Sequence, residues 1–138
     1  MVKYLLDTNV LSELRKTNCN IRVKAFTDNI PLVNLFISAL SIGEIVFGIE
    51  KLPEGKKRTE LSLWLNGHVF RQFENRIIPL DTGISEEWGK IRVRAGRTLS
   101  DIDALIAATT LANHLTLVTR NTRDFKDIGG LNLMNPWE

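Results

Sequence analysis

One cysteine, Cys19, and two histidines, His68 and His114, are the only thiol and imidazole groups in the sequence. That excludes an intrachain disulfide and a cysteine-cluster metal site, and leaves too little for zinc chemistry or a Ser-His-Asp triad. Cys19 falls in a polar stretch, His68 reads as a helix-surface or packing residue, and His114 belongs to a helix end. No segment reaches the roughly 18 apolar residues of a membrane span. The apolar run 2–6 meets Asp7 too soon to form the core of a signal peptide, so the expected location is cytoplasmic. Aromatic residues are only 7% of the chain, which argues against a base-stacking platform. Charge of one sign is lacking too, since 18 basic and 16 acidic residues give a net +2. Any catalysis must therefore rest on carboxylates.

What remains is globular. The chain has 138 residues, 43% hydrophobic and 25% charged, expected to form a single domain over 1–138. Short apolar runs at 2–6, 35–38, 76–80, 115–119 and 131–134 read as strands. Between them lie helical patterns. One carries Val10, Leu11 and Leu14, and a further turn or two is expected within 17–30. Another opens at Ser41 and carries Ile42, Ile45, Val46 and Ile49. A long one covers 57–73, a fourth carries Ile84, Trp88, Ile91 and Ala95, and a last runs from the Ser100 cap to Asn113. Strands alternating with helices, never joined by hairpin-sized loops, imply an α/β fold with a mainly parallel sheet covered on both faces.

In such sheets the functional crevice lies beyond the carboxyl ends of the strands. Asp7 follows the first strand directly, Glu44 falls in the first turn of the helix after the second, Asp101 and Asp103 open the helix before the fourth, and Asp124 follows the fourth. Glu44 and Asp103 also sit in apolar surroundings. Burying several carboxylates together is costly, and a hard divalent cation such as Mg²⁺ or Mn²⁺, which prefers oxygen ligands, relieves that cost. Such an ion suits phosphodiester or phosphoryl chemistry. Against this stands a plainer role: Ser41-x-x-Glu44 and Ser100-x-x-Asp103 have capping-box spacing, and Asp7 and Asn121 can each serve as an N-cap.

The segments Leu5-Leu6-Asp7-Thr8-Asn9-Val10-Leu11-Ser12-Glu13, Ser41-x-x-Glu44, Asp103-Ala104-Leu105-Ile106-Ala107-Ala108-Thr109, Leu117-Val118-Thr119-Arg120-Asn121-Thr122-Arg123-Asp124-Phe125 and the closing Asn135-Pro136-Trp137 occur in one order along almost the whole chain. In these blocks the sequence resembles the PIN domain, and specifically the VapC-like toxins of bacterial toxin–antitoxin pairs. The resemblance implies a three-layer α/β/α sandwich with about five strands and a metal-dependent endoribonuclease using Mg²⁺ or Mn²⁺. It makes Asp7, Glu44 and Asp103 the core metal-binding acids and selects Asp103 over Asp101. It leaves the fourth position between Asn121 and Asp124. Thr8 and Thr119 become supporting hydroxyls for the acids or the scissile phosphate.

The resemblance also implies a VapB-like antitoxin that covers the site and supplies DNA binding, so that DNA is contacted only indirectly, and a homodimer. Arg97 and Arg120 are candidate RNA contacts, within a basic surface that includes Lys90, Arg92, Arg94, Arg123 and Lys126. Two other readings remain. One is a catalytically inactive PIN-like subunit of a DNA-bound regulatory complex. The other is a phosphotransfer enzyme with Asp7 as nucleophile, disfavoured because position 9 is Asn where the haloacid-dehalogenase pattern needs a second aspartate.

Overall fold

Leu5 and Leu6 are chain neighbours in the first strand, β1 (Tyr4–Leu6), yet each is buried in a different core. Successive side chains in a strand point to opposite faces, so this pair alone requires packing on both sides of β1. The computed structural model describes residues 1–138. Its other strands are β2 (Leu35–Ser38), β3 (Ile77–Ile78), β4 (Thr116–Val118) and β5 (Asn132–Met134), and the sheet runs β3-β2-β1-β4-β5, parallel throughout.

On one face, Leu6, Leu35, Ile37 and Val118 meet side chains of α1 (Thr8–Arg15), α2 (Ile21–Asp28), α3 (Ala39–Glu50) and the long helix that begins with α4 (Lys56–Trp64). On the other, Leu5 and Leu117 meet α6 (Thr82–Arg94), α7 (Asp101–Ala112) and the segment holding Phe125 and Ile128. The result is the expected α/β/α sandwich. No helix is long and apolar enough to cross a membrane.

The 57–73 helix is not uniform. After α4 the backbone widens into a π-helical stretch, Leu65–Val69, before closing with α5 (Phe70–Gln72). The apolar positions explain it. Leu61, Leu65, Val69 and Phe73 recur every four residues, and the last three are buried. A regular α-helix turns every 3.6 residues, so a strict four-residue spacing would drift off the core side; a wider turn holds the row in place. Past the helix end, Asn75 takes a left-handed conformation (φ 68°). Arg76 then donates to the carbonyls of Leu32 and Leu35, each at 2.6 Å, and to that of Gln72, pinning the helix end to the turn before β2.

Two boundaries correct the sequence reading. The third strand shrinks from 76–80 to Ile77–Ile78, because Pro79 has no N–H for the ladder and Arg76 is spent as a brace. The helix after β2 opens at Ala39, not Ser41. Ser38 is its N-cap, accepting from the Leu40 N–H at 3.0 Å, while Ser41 is fully buried inside the helix. Glu44 is therefore in the second turn, and Ser41-x-x-Glu44 is not a capping box.

Candidate active site

From β1 the chain winds outward through β2 and β3, then crosses back to β4 and β5 on the other side of β1. At such a switch the connections leaving adjacent strands diverge and open a crevice at their carboxyl ends. That crevice is a cleft of about 470 Å³, lined by Asp7, Thr8, Asn9, Ser12, Glu13, Lys16, Glu44, Ile102, Asp103, Arg120, Asn121 and Trp137.

Asp7 is the innermost acid. Its backbone N–H still donates to the Val118 carbonyl at 2.9 Å, so it stands where β1 and β4 part. One carboxylate oxygen caps α1 by accepting from the Thr8 N–H at 2.8 Å; the other accepts from the Thr119 hydroxyl at 2.8 Å. The fully buried Thr119 oxygen in turn accepts from Asn9 Nδ2 (3.2 Å) and the Asn121 N–H (3.1 Å). Asn9 Oδ1 accepts from the Arg120 N–H at 3.2 Å. Asp7 is thus an N-cap and also the hub that fastens the 119–121 loop to α1.

Thr8 Oγ1 lies 2.7 Å from Glu44 Oε1 and 2.8 Å from Ser41 Oγ. A hydroxyl has one proton to give, so Thr8 donates to the carboxylate and accepts from Ser41. Glu44 is thereby held at the exposed rim. Thr8→Val is expected to leave the buried Ser41 hydroxyl unpaired and cost about 1–3 kcal/mol, read as a lower urea midpoint. A midpoint unchanged from wild type would show that Ser41 does not depend on Thr8.

Asp103 enters from α7, whose Ser100 cap accepts from the Asp103 N–H at 3.1 Å; the carboxylate itself accepts nothing from the chain. Burial pushes the Asp7 carboxyl above its ordinary range, and the negative charges of Glu44 and Asp103 push it the same way, against the hydrogen bonds from Thr119 and Thr8. None of these three acids makes an ion pair. The cleft therefore gathers three carboxylates that no ion pair neutralises.

The remaining candidates divide. Asn121 and Arg120 line the cleft. Asp124 is not among the lining residues, and its carbonyl accepts from Arg97 Nη2 at 2.6 Å. Arg97 also pairs with Asp127 at 3.2 Å, so it braces the loop before α7 against the 122–128 segment. Arg94 pairs with Glu87, and Arg92 lies over the Trp88 ring at 4.5 Å on α6. On α1 and α3, Val10 and Ile45 are core, whereas Phe47 is 66% exposed. His68 and His114 are both exposed and away from the cleft.

Several cleft residues were not singled out from the sequence. Asn9 and Glu13 on α1, with Lys16 at its C-cap, form a polar row at helical spacing, a signal that was available. The Asn20 N–H and the Lys16 ammonium hold the Glu13 carboxyl below its usual range. Trp137 reaches the cleft only through the turn after β5, and nothing local foretold that.

The PIN domain pattern matches residues 4–131. The chain belongs to the PIN-domain family. It is 35% identical to VapC ribonuclease Y4jK of Sinorhizobium fredii over 97% of each chain. The crystal structure of FitAcB from Neisseria gonorrhoeae superposes with a TM-score of 0.90 at 34% identity, covering 98% of this chain and 99% of that one. That of VapBC2 from Rickettsia felis, bound to a DNA fragment from its promoter, superposes at 0.80 with 26% identity, covering 98% of each. In this PIN domain Asp7, Glu44 and Asp103 come from three separate segments and meet at one strand-end cleft.

Proposed function

We propose that this PIN domain is a divalent-metal-dependent endoribonuclease, the toxin of a VapBC-type pair. The observation that carries the reading is the convergence of Asp7, Glu44 and Asp103, unpaired by any cation, on the cleft at the sheet's switch point. The ribonuclease name of Y4jK, 35% identical along its whole length, supports the substrate class.

The donors fit a hard ion. All are oxygens, and the Asp7 carboxyl lies beside two further negative charges. No three of the acids stand close enough to ligate one ion together, so an ion here would take one or two carboxylates and keep its waters, as Mg²⁺ can. Asp7 and Asp103 would hold the ion, with Glu44 and Asn121 at the rim. A divalent cation there would supply an activated water and positive charge opposite the scissile phosphate.

The chain's own groups do the rest. Thr119 and the Thr8 N–H fix both Asp7 oxygens, so the carboxylate needs no rearrangement when substrate arrives. The Thr8 hydroxyl fixes Glu44 in the same way. Arg120, which also lines the cleft, holds the RNA strand by a phosphate. Asp124, which does not line the cleft, is given a peripheral role in place of the fourth position it shared with Asn121, and Arg97 acts on the site by holding the 122–128 segment.

The partner is proposed to be a VapB-like antitoxin acting in the cytoplasm, with DNA contacted through it. The promoter-bound VapBC2 complex supports this, as does the apolar surface of Phe47, Leu80 and Ile102 beside the cleft. A second copy of the chain completes the expected assembly.

Purified protein incubated with total RNA should produce new internal ends with Mg²⁺ or Mn²⁺, none in excess EDTA, and regain activity when metal is restored. Mg²⁺ should also raise the melting temperature of the wild type but not of Asp103→Asn. Cleavage that persists in EDTA would overturn the metal reading, and intact tRNA, rRNA and mRNA under every condition would favour the inactive-subunit alternative.

A further inference from the structure

Two cations line the cleft; both act on Glu13 through their charge, but only one makes an ion pair. Lys16 donates to Glu13 Oε1 at 3.2 Å, whereas Arg120 makes no ion pair although Asp7, Glu13, Glu44 and Asp103 line the same cleft. An uncharged surface holds it: the guanidinium carbon lies over the Trp137 ring, 5.2 Å from the centroid.

Trp137 is firmly seated. Its N–H donates to Asn135 Oδ1 at 2.9 Å, its carbonyl accepts from Arg22 Nη1 at 3.4 Å, and its ring packs against the core under α1 to α3. Asn135 Nδ2 also donates to the Arg120 carbonyl at 3.3 Å. The turn after β5 and the loop after β4 are therefore fastened together twice, by an amide and by a cation–π contact.

The choice of an aromatic seat has a chemical consequence. A carboxylate would hold Arg120 equally well and cancel its charge. A ring face attracts the cation through its quadrupole, leaves the charge uncancelled and leaves the in-plane N–H donors uncovered. Those donors match a phosphate in geometry and sign.

We propose that Trp137 is a positioning residue, seating Arg120 at the cleft rim so that its guanidinium grips a phosphate of the RNA strand. This rests on the ribonuclease reading and adds a part to it: the turn after β5 belongs to the site.

The test is a double-mutant cycle on the full chain, with fluorescein-labelled bulk tRNA as probe. Anisotropy gives Kd, and cleavage of the same RNA in Mg²⁺ or Mn²⁺ gives kcat and KM. Trp137→Leu keeps apolar volume against the core but removes the ring face, and Trp137→Phe keeps a ring. Arg120→Ala and Trp137→Leu should each weaken Kd and raise KM about tenfold, with kcat within about twofold, the size of a lost charge-assisted contact. Each should also flatten the salt dependence of binding by about 0.7–0.9 in log–log slope. The double variant should be about tenfold weaker, not a hundredfold, and Trp137→Phe should recover most of the loss. Losses that multiply, or a Trp137→Leu protein with wild-type Kd and salt slope, would overturn the proposal. Wild type that binds RNA with this coupling but never cleaves it would overturn the nuclease reading and support the phosphate grip. Wild type that does not bind RNA would overturn both.

Discussion

Asp7→Asn is expected to reduce RNA cleavage by ~10³-fold or more while melting no lower than wild type. The activity loss follows from removing one of the two carboxylates proposed to hold the metal. The metal it would help hold supplies several kcal/mol of charge stabilisation, and each 1.36 kcal/mol is a factor of ten in rate. The stability expectation has the opposite sign. Burial and the charges of Glu44 and Asp103 raise the Asp7 carboxyl, so at neutral pH its ionised form burdens the metal-free fold. That burden is fully present above the raised native pKa and disappears below the ordinary carboxylate value, where Asp7 is neutral in both native and unfolded chains. In EDTA the variant should therefore melt a few degrees above wild type near neutral pH, with the gap closing as pH falls through the carboxylate range. Thermal scans across pH, paired with an RNA cleavage assay, check both parts. A variant that cleaves normally would remove Asp7 from the chemistry, and one that melts well below wild type would show its cap to outweigh its charge.

The second large effect is on stability. Phe125→Ala is expected to cost about 3–5 kcal/mol, a substantial share of the roughly 5–15 kcal/mol available to a domain. Phe125 is 1% exposed in the core beneath α6 and α7, and its backbone pairs with Thr122 and Ile128 on either side. It is the anchor by which the segment after Asn121 is tied to the sheet. Urea unfolding followed by circular dichroism should show a lower midpoint with an unchanged slope, and Phe125→Leu should cost less than about 1.5 kcal/mol. A loss under about 1 kcal/mol in Phe125→Ala would mean that the segment is not held by this side chain. RNA cleavage at a temperature where the variant is still folded should then report how far the anchor alone keeps Asn121 and Arg120 in place.

The layered architecture was legible because it rests on long-wavelength patterns. Short apolar runs separated by helical spacings survive small boundary errors, and β2 and α7 fall within a residue of their expected limits. Asp7, Glu44 and Asp103 were legible because residues placed after parallel strands must come to one edge. What escaped was decided by tertiary contacts. Ser38 and Ser41 are both plausible caps; the end of the β2 ladder at Ser38 chose between them and left Ser41 to pair with Thr8. The four-residue row from Leu61 to Phe73 looked like an ordinary helix until the core demanded that it stay straight. Asp124 and Asn121 are three residues apart in a segment of 3-10 turn, and spacing cannot say which of them faces the cleft. Trp137 stacks on Arg120 only because β5 lies beside β4, a neighbour relation that no local pattern encodes.

The strand order has a consequence for how the protein is made. β1 is synthesised well before its β4 partner, which, with the Thr119 hydroxyl that locks Asp7, follows more than a hundred residues later. The seat for Arg120 comes later still. A chain translated only through β3 carries Asp7 and Glu44 but lacks Asp103, Arg120, Asn121 and Trp137, so it holds only part of the cleft. The cleft proposed to act on RNA is therefore complete only once β4, β5 and the turn that carries Trp137 have all been made.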